Sequence, residues 1–203
     1  MNTSEEPGRR RSTIRVIVVD DHPALRAGLE GLLRGEAKMR CVGSVDGTDG
    51  VLDAVHKRRP DVVVLDYALA GTDGLTMCFR LKQQANAPGV VLYSAYVDQG
   101  FAVPAAIAQA DATVAKSASV SELLLAIRQV AVGCHERSPL DPELIEAASA
   151  RLLVDDLPIA GMLLGATPVV DIADLLDLSV EEVRSRALRI IGCLQAGRRV
   201  RAR

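Results

Sequence analysis

The chain has 203 residues, 49% hydrophobic and 25% charged, with a formal net charge of -2, no Trp, three Tyr and two Phe. That balance fits an ordinary globular protein of one large domain or two small ones, with a core of Val, Leu, Ile and Ala, and excludes general attraction to nucleic acid or acidic membranes. Cys41, Cys78, Cys134 and Cys193 stand far apart without C-x-x-C spacing, no apolar run reaches membrane-spanning length, and residues 1–13 form a polar tail with no secretory apolar stretch. The expectation is a cytoplasmic protein with idle thiols and no membrane contact.

From residue 14 the pattern alternates between strand and helix. "IRVIVVDD" is a β-rich apolar run, and "PALRAGLEGLLRGE" then carries Leu25, Leu29, Leu32 and Leu33 at helical spacing. "MRCVGSV" is a second strand candidate, followed by a helix over about 48–58 with Val51, Leu52 and Val55 on one face. "DVVVLD" is the third strand, a helix over 75–84 follows, and "GVVLYS" is the fourth strand. Pro104 in "DQGFAVPAAIAQA" places the start of the fourth helix, or a kink, near itself. "ATVAK" is a weaker fifth strand, and "SVSELLLAIRQVAVG" a strong amphipathic helix capped by Ser119 or Ser121 and ended by Gly133. Residues 133–141 read as a linker, within which "HERSPLDP" (135–142) carries two prolines and mixed charges. Residues 142–203 are purely helical, with candidates at 142–153, 156–165, 169–176 and 179–194.

Five strands alternating with helices imply an α/β fold, a parallel doubly wound sheet of flavodoxin-like type, linked to a small all-α unit. In such sheets ligands bind beyond the carboxyl ends of the strands. The residues there are Asp20, Asp21, Asp66, Ser94 and Lys116. Singly, a strand-final aspartate is more often a turn or cap residue and a lone lysine is usually solvated. Together they make a different proposition. Three carboxylates at close range need a counter-charge, which a hard divalent cation such as Mg²⁺ supplies. A carboxylate, Mg²⁺, a lysine and a hydroxyl then suit phosphoryl transfer with the carboxylate as nucleophile.

These residues carry a family resemblance. Residues 14–132 resemble a bacterial response-regulator receiver domain, and "VVDDHPALRAGL" resembles the start of receivers joined to a LuxR-type (NarL/FixJ class) DNA-binding domain. The resemblance implies Asp66 as phosphoacceptor, Asp21 as a direct Mg²⁺ ligand, Asp20 as a ligand through water, and the backbone carbonyl of Ala68 as a further ligand. Ser94 and Lys116 would hold the phosphoryl group. In "DYALAGTDG", Ala70 replaces a common proline, which loosens the loop. Three residues before Lys116 the family usually has Tyr or Phe, whose rotation reports phosphorylation; here it is Thr113. Tyr96 is a candidate to share in the switch or shield the acyl phosphate. His22 is more readily a bystander than a ligand or base, and His56 and His135 read as surface residues.

In "VVDIADLLDLSVEEVRSRALRIIGCL", residues 169–194, the rhythm is that of a helix-turn-helix. Ala173 is small where two helices approach, and Ile172, Leu175, Leu176, Val183, Leu188 and Ile191 supply the apolar face. Asp177 takes the turn position, and Ser179 with Glu182 forms a capping box. The region is similar to a diverged LuxR-type output domain. Arg184, Ser185, Arg186 and Arg189 fall where a recognition helix faces DNA, while Glu181, Glu182, Asp171, Asp174 and Asp177 oppose that reading.

The preferred reading is a two-component response regulator, phosphorylated on Asp66 by a sensor histidine kinase with Mg²⁺. The phosphorylated protein would dimerise and control transcription through DNA. It is not a classical enzyme, although it can catalyse its own phosphotransfer and dephosphorylation. The alternative is a phospho-switched regulator whose C-terminal helices bind a protein partner rather than DNA. An aspartyl phosphohydrolase ranks last, because the position two residues after Asp66 is Ala68 rather than a second aspartate.

Overall fold

The computed structural model describes residues 13–69, 72–95, 99–134 and 140–199. Strands β1 (Ile14–Val19), β2 (Met39–Val45), β3 (Val62–Asp66), β4 (Gly89–Ser94) and β5 (Ala112–Ala115) alternate with helices α1 (Pro23–Gly35), α2 (Val51–Arg58), α3 (Gly74–Lys82), α4 (Gln99–Ile107) and α5 (Val120–Ala131). All pairings are parallel, in the order β2-β1-β3-β4-β5. The strand order reverses between β1 and β3, the crevice in which doubly wound sheets bind ligands.

The central strands are apolar on both faces because both are covered. Val16, Val18, Val62, Val64 and Val91 pack with Leu29 and Leu33 of α1 and Leu123, Leu124 and Ile127 of α5. Ile17, Val19, Val63, Leu65, Val90 and Leu92 face the other way, toward α2, α3 and α4. Continuous burial of this kind is what a parallel sheet demands of its strands. Asp111 ties the layers together: its buried carboxylate accepts from the Val90 N–H at 2.7 Å and from Lys82 at 2.8 Å, joining the end of α3 to the start of β4.

Several local expectations hold. Ser119 rather than Ser121 caps α5, accepting from the Glu122 N–H, and Gly133 adopts a left-handed φ of 79° just beyond it. Pro104 stands inside α4 instead of at its start.

The C-terminal residues form α6 (Pro142–Ser149), a 3₁₀ turn (Val154–Asp156), α7 (Leu157–Leu164), α8 (Val169–Leu176) and α9 (Val180–Arg199). They differ from a loosely tethered appendage. Ile159, Leu163, Ile172, Val183, Ile190, Ile191 and Leu194 belong to the same apolar cluster as Leu75, Phe79, Phe101 and Ile107 of α3 and α4. The cause lies in α4, whose nine residues QGFAVPAAI carry no charge. A helix apolar on all sides must be covered on all sides, and α3, α6, α7 and α9 all contact it. Leu175 departs from the expected core face: it is 71% exposed, whereas Val169, Ile172 and Ala173 are buried. At ~100° per residue, Leu175 lies roughly 110° from the centre of the stripe those residues define.

The β3–α3 connection is folded back tightly. The Gly74 N–H donates to the Tyr67 carbonyl at 2.8 Å, and Asp73 caps α3 by accepting from the Thr76 N–H and Oγ1, each at 2.9 Å. A Cβ on Gly74 would collide with the Asp66 carbonyl oxygen and lie 2.7 Å from the Tyr67 Cα, both backbone atoms that cannot step aside. Gly74→Ala is therefore expected to destabilise the protein by about 1–3 kcal/mol through overpacking, measurable as a lowered urea midpoint.

Candidate functional site

Strand register assembles the site. β1 and β3 pair Val19 with Leu65, so the next residues, Asp20 and Asp66, come abreast. β3 pairs Asp66 with Tyr93, placing Ser94 one step further along β4. Ser94 pairs with Ala115, and the Lys116 N–H donates to the Ser94 carbonyl at 2.7 Å. The Lys116 side chain then turns back across the sheet edge, its Nζ 2.8 Å from Oδ2 of Asp20 and 2.8 Å from Oδ2 of Asp66. The five residues expected from strand ends thus meet at one edge, with Asp21 beside Asp20.

The carboxylates are fixed by backbone groups. Asp20 accepts from the His22 N–H at 2.7 Å, and Asp66 accepts from the Ala68 N–H at 3.2 Å. His22 Nδ1 lies 2.8 Å from Asp21 and 3.2 Å from Asp20, although its ring is largely exposed. Arg26 was not singled out in the sequence. Its Nη1 donates to the Asp20 carbonyl at 2.6 Å and forms an ion pair with Asp46 at 3.2 Å, anchoring the start of α1 beneath the site. The position of Arg26, one turn into the helix after "DDHP", was the only signal.

Electrostatically the site has more negative charge than it can hold unaided. Asp20, Asp66 and Ser94 are only 1%, 2% and 1% exposed, so water does little to screen them. Burial pushes the Asp66 carboxyl above the ordinary carboxylate range, and the Asp20 charge adds to this, outweighing the opposing pull of Lys116. Burial lowers the Lys116 ammonium, but its hydrogen bonds and charge contacts with Asp20 and Asp66 prevail and hold it above the usual lysine value. One ammonium therefore lies against two of the three carboxylates, while Asp21 faces His22. Asp20, Asp21, His22 and Asp66 offer ligand atoms all within 4.8 Å of one another. Oxygen-rich, anionic and partly open, this acidic pocket suits a hard divalent cation of the Mg²⁺ kind.

The surroundings of Asp66 differ from the aromatic relay of the resemblance. Thr113 is exposed on β5 opposite Leu92. The ring of Tyr67, adjacent to Asp66, meets Phe101 of α4 edge-on, with centroids 5.2 Å apart and an interplanar angle of 84°. Ala70, Tyr96 and His135 lie outside the described residues.

In the C-terminal unit, α8 and α9 are joined through Asp177 in a left-handed conformation with φ 55° and ψ 44°, as the turn chemistry suggested. Ser179 caps α9 by accepting from the Glu182 N–H at 3.1 Å. The other half of the expected box is redirected, since the Glu182 carboxylate takes Arg186 at 2.6 Å. Ser185 is exposed and Arg184 half-buried, 4.0 Å from Glu181. Arg189 makes a two-pronged bond to the buried carboxylate of Asp156, at 2.6 and 3.1 Å. Nothing in the sequence spacing pointed to Asp156 as its partner.

Comparison with known proteins agrees with this geometry. The response regulator receiver domain family matches residues 16–128, more than half of the chain. "Response regulator GacA" of Pseudomonas viridiflava is 30% identical over 189 residues, covering 87% of each chain. The "DNA-binding transcriptional activator DevR/DosR" of Mycobacterium tuberculosis is 28% identical over 202 residues, covering 93% of this chain and 92% of the relative. Among solved structures, a two-component response regulator of the LuxR family from Aurantimonas superposes with a TM-score of 0.58 at 27% identity, covering 66% of this chain and 94% of that one. The chain belongs to the response regulators, with a receiver domain whose relatives are LuxR- and NarL-family regulators.

Proposed function

We propose that the protein is a phosphorylation-controlled transcriptional regulator whose phosphoacceptor is Asp66. The observation that carries this reading is the meeting of Asp20, Asp21, Asp66, Ser94 and Lys116 at one sheet edge, with Lys116 at 2.8 Å from two of the carboxylates. An Asp66 carboxylate oxygen attacks the phosphorus of a phosphohistidine on a sensor histidine kinase. The P–N bond breaks, its electron pair leaves with the imidazole, and a mixed anhydride forms on Asp66. Lys116 moves with the charge, exchanging a carboxylate partner for the phosphoryl oxygens, and the Ser94 hydroxyl donates to them. Asp20, Asp21, Asp66 and the Ala68 carbonyl would hold Mg²⁺, which when bound neutralises charge developing on the transferring group. These residues also permit transfer from small phosphodonors and hydrolysis back to carboxylate and phosphate, so the chain assists its own chemistry without being a classical enzyme.

Residues 14–132 would act as the receiver, 133–141 as the linker and 142–203 as the output unit. The helix-turn-helix geometry of α8 and α9 supports DNA as the output ligand, and a relative is named as DNA-binding. Two such units on two half-sites require a homodimer, formed when the receiver is phosphorylated. Arg184, Ser185, Arg186 and Arg189 would face DNA, but Arg186 and Arg189 must first exchange their Glu182 and Asp156 partners for phosphates. That pairing favours a second reading, in which the C-terminal helices bind a protein instead.

Three outcomes test these assignments. With acetyl phosphate and Mg²⁺, a phosphate-retention gel should show a shifted band that Asp66→Asn abolishes and Lys116→Ala strongly reduces. In chelator, thermal unfolding of Asp66→Asn should occur above that of wild type at neutral pH. The raised carboxyl pKa means wild-type stability falls as pH climbs from the ordinary carboxylate value to the folded one, so the two curves should converge at low pH. Adding Mg²⁺ should stabilise wild type and shift the variant far less. In DNA titrations, Arg184→Ala should weaken binding and reduce the salt slope by about one; no binding even at low salt selects the protein-partner reading.

A further inference from the structure

Gln195 is a polar side chain only 3% exposed, on the inner face of α9. Its Nε2 donates to Oδ1 of Asp73 at 2.6 Å, linking residues 122 positions apart. Asp73 is not a free surface acid. It caps α3 through the Thr76 N–H and Oγ1, and it directly precedes Gly74, whose N–H closes the loop onto Tyr67. The amide of α9 therefore fastens the far end of the same loop that Asp66 begins.

Phosphorylation must disturb that loop. The Ala68 N–H is held by Oδ1 of Asp66, and the acyl phosphate changes the charge and geometry of that carboxyl group. Gly74 leaves no slack between α3 and the end of β3, so a displacement beginning at Tyr67 is passed to Asp73. A hydrogen bond to a charged group in a buried setting is strong and costly to leave unmade, so Asp73 and Gln195 move together or part. Thr113, exposed on β5, offers no comparable connection to the C-terminal helices.

We propose that Gln195 is a positioning residue for the Asp66 site: through Asp73 it anchors the β3–α3 loop to α9, so the phosphorylation state of Asp66 and the placement of α9 are coupled in both directions. The coupling rests on Asp66 being the phosphoacceptor; the anchoring does not. Coupling of binding equilibria is reciprocal, so the contact that lets the phosphoryl group act on α9 also lets α9 set how readily the loop accepts it.

The test uses the full chain as wild type, Gln195→Leu, and the exchanged pair Asp73→Asn with Gln195→Glu, which keeps an α3 cap and restores the hydrogen bond with donor and acceptor reversed. Amide hydrogen exchange over residues 72–77 is measured first without any phosphodonor. Gln195→Leu should speed exchange there about tenfold, and the exchanged pair should return it toward wild type. With acetyl phosphate and Mg²⁺, Gln195→Leu should alter the rate of acyl-phosphate formation by about fivefold or more and remove the phosphorylation-dependent change in α9 exchange. A role in stability alone would lower the unfolding temperature yet leave the formation rate and the α9 response as in wild type, and that result overturns the proposal. So does unchanged exchange over 72–77 in Gln195→Leu. An absent Asp66-dependent band in wild type overturns the phosphoacceptor reading and with it the coupling, while the donor-free exchange arm still decides the anchoring.

Discussion

Lys116 sits 2.8 Å from Asp20 and 2.8 Å from Asp66, and without that shared ammonium two almost fully buried carboxylates would face each other directly. Burial of this kind is expensive unless each charge is paired. The sheet provides the pairing by register: β1 and β3 bring the aspartates abreast, and β4 and β5 carry Lys116 to the same edge. The pairing leaves a surplus of negative charge. A site with surplus negative charge and an Asp66 carboxyl pushed toward its neutral form by burial is poised to gain from a cation, which would also offset the charge that a phosphoryl group brings to the cluster.

The same strand ends tie the site to the rest of the molecule. Tyr67 leads from Asp66 to Phe101 in α4, and Asp73 leads to Gln195 in α9. Because α4 is uncharged and largely apolar, α3, α6, α7 and α9 all pack against it, and the C-terminal helices share an apolar core with half of the receiver. Any shift of α4 or of the β3–α3 loop must be accommodated within that close-packed layer, since packed cores yield in discrete steps rather than continuously. Arg186 and Arg189, held by Glu182 and Asp156 on the same layer, are part of what such a step would rearrange.

Much of this was legible from residue order alone. Apolar runs ending on Asp20, Asp66, Ser94 and Lys116 gave both the parallel sheet and the site, because in a doubly wound fold strand ends converge whatever the intervening helices contain. The left-handed turn at Asp177 and the Ser179 cap followed from local chemistry. What escaped the sequence depends on packing between distant segments. Leu175 matched an apolar rhythm but falls off the stripe that α8 buries, and Glu182 suited a capping box but finds Arg186 closer to hand. Arg26, Asp73, Asp156 and Gln195 carry no motif; the pairings of Arg26 with Asp46, Asp156 with Arg189 and Asp73 with Gln195 join segments 20, 33 and 122 residues apart.

The central claim is that Asp66, among the clustered carboxylates, carries the phosphoryl group. Borohydride reduces an acyl phosphate to an alcohol and leaves a free carboxylate untouched, so the modified side chain can be located chemically. After treatment with acetyl phosphate and Mg²⁺, reduction and peptide mapping should find homoserine at position 66 and unaltered aspartate at 20 and 21. Homoserine at position 20 or 21, or at no position while the phosphodonor is active, would contradict the account.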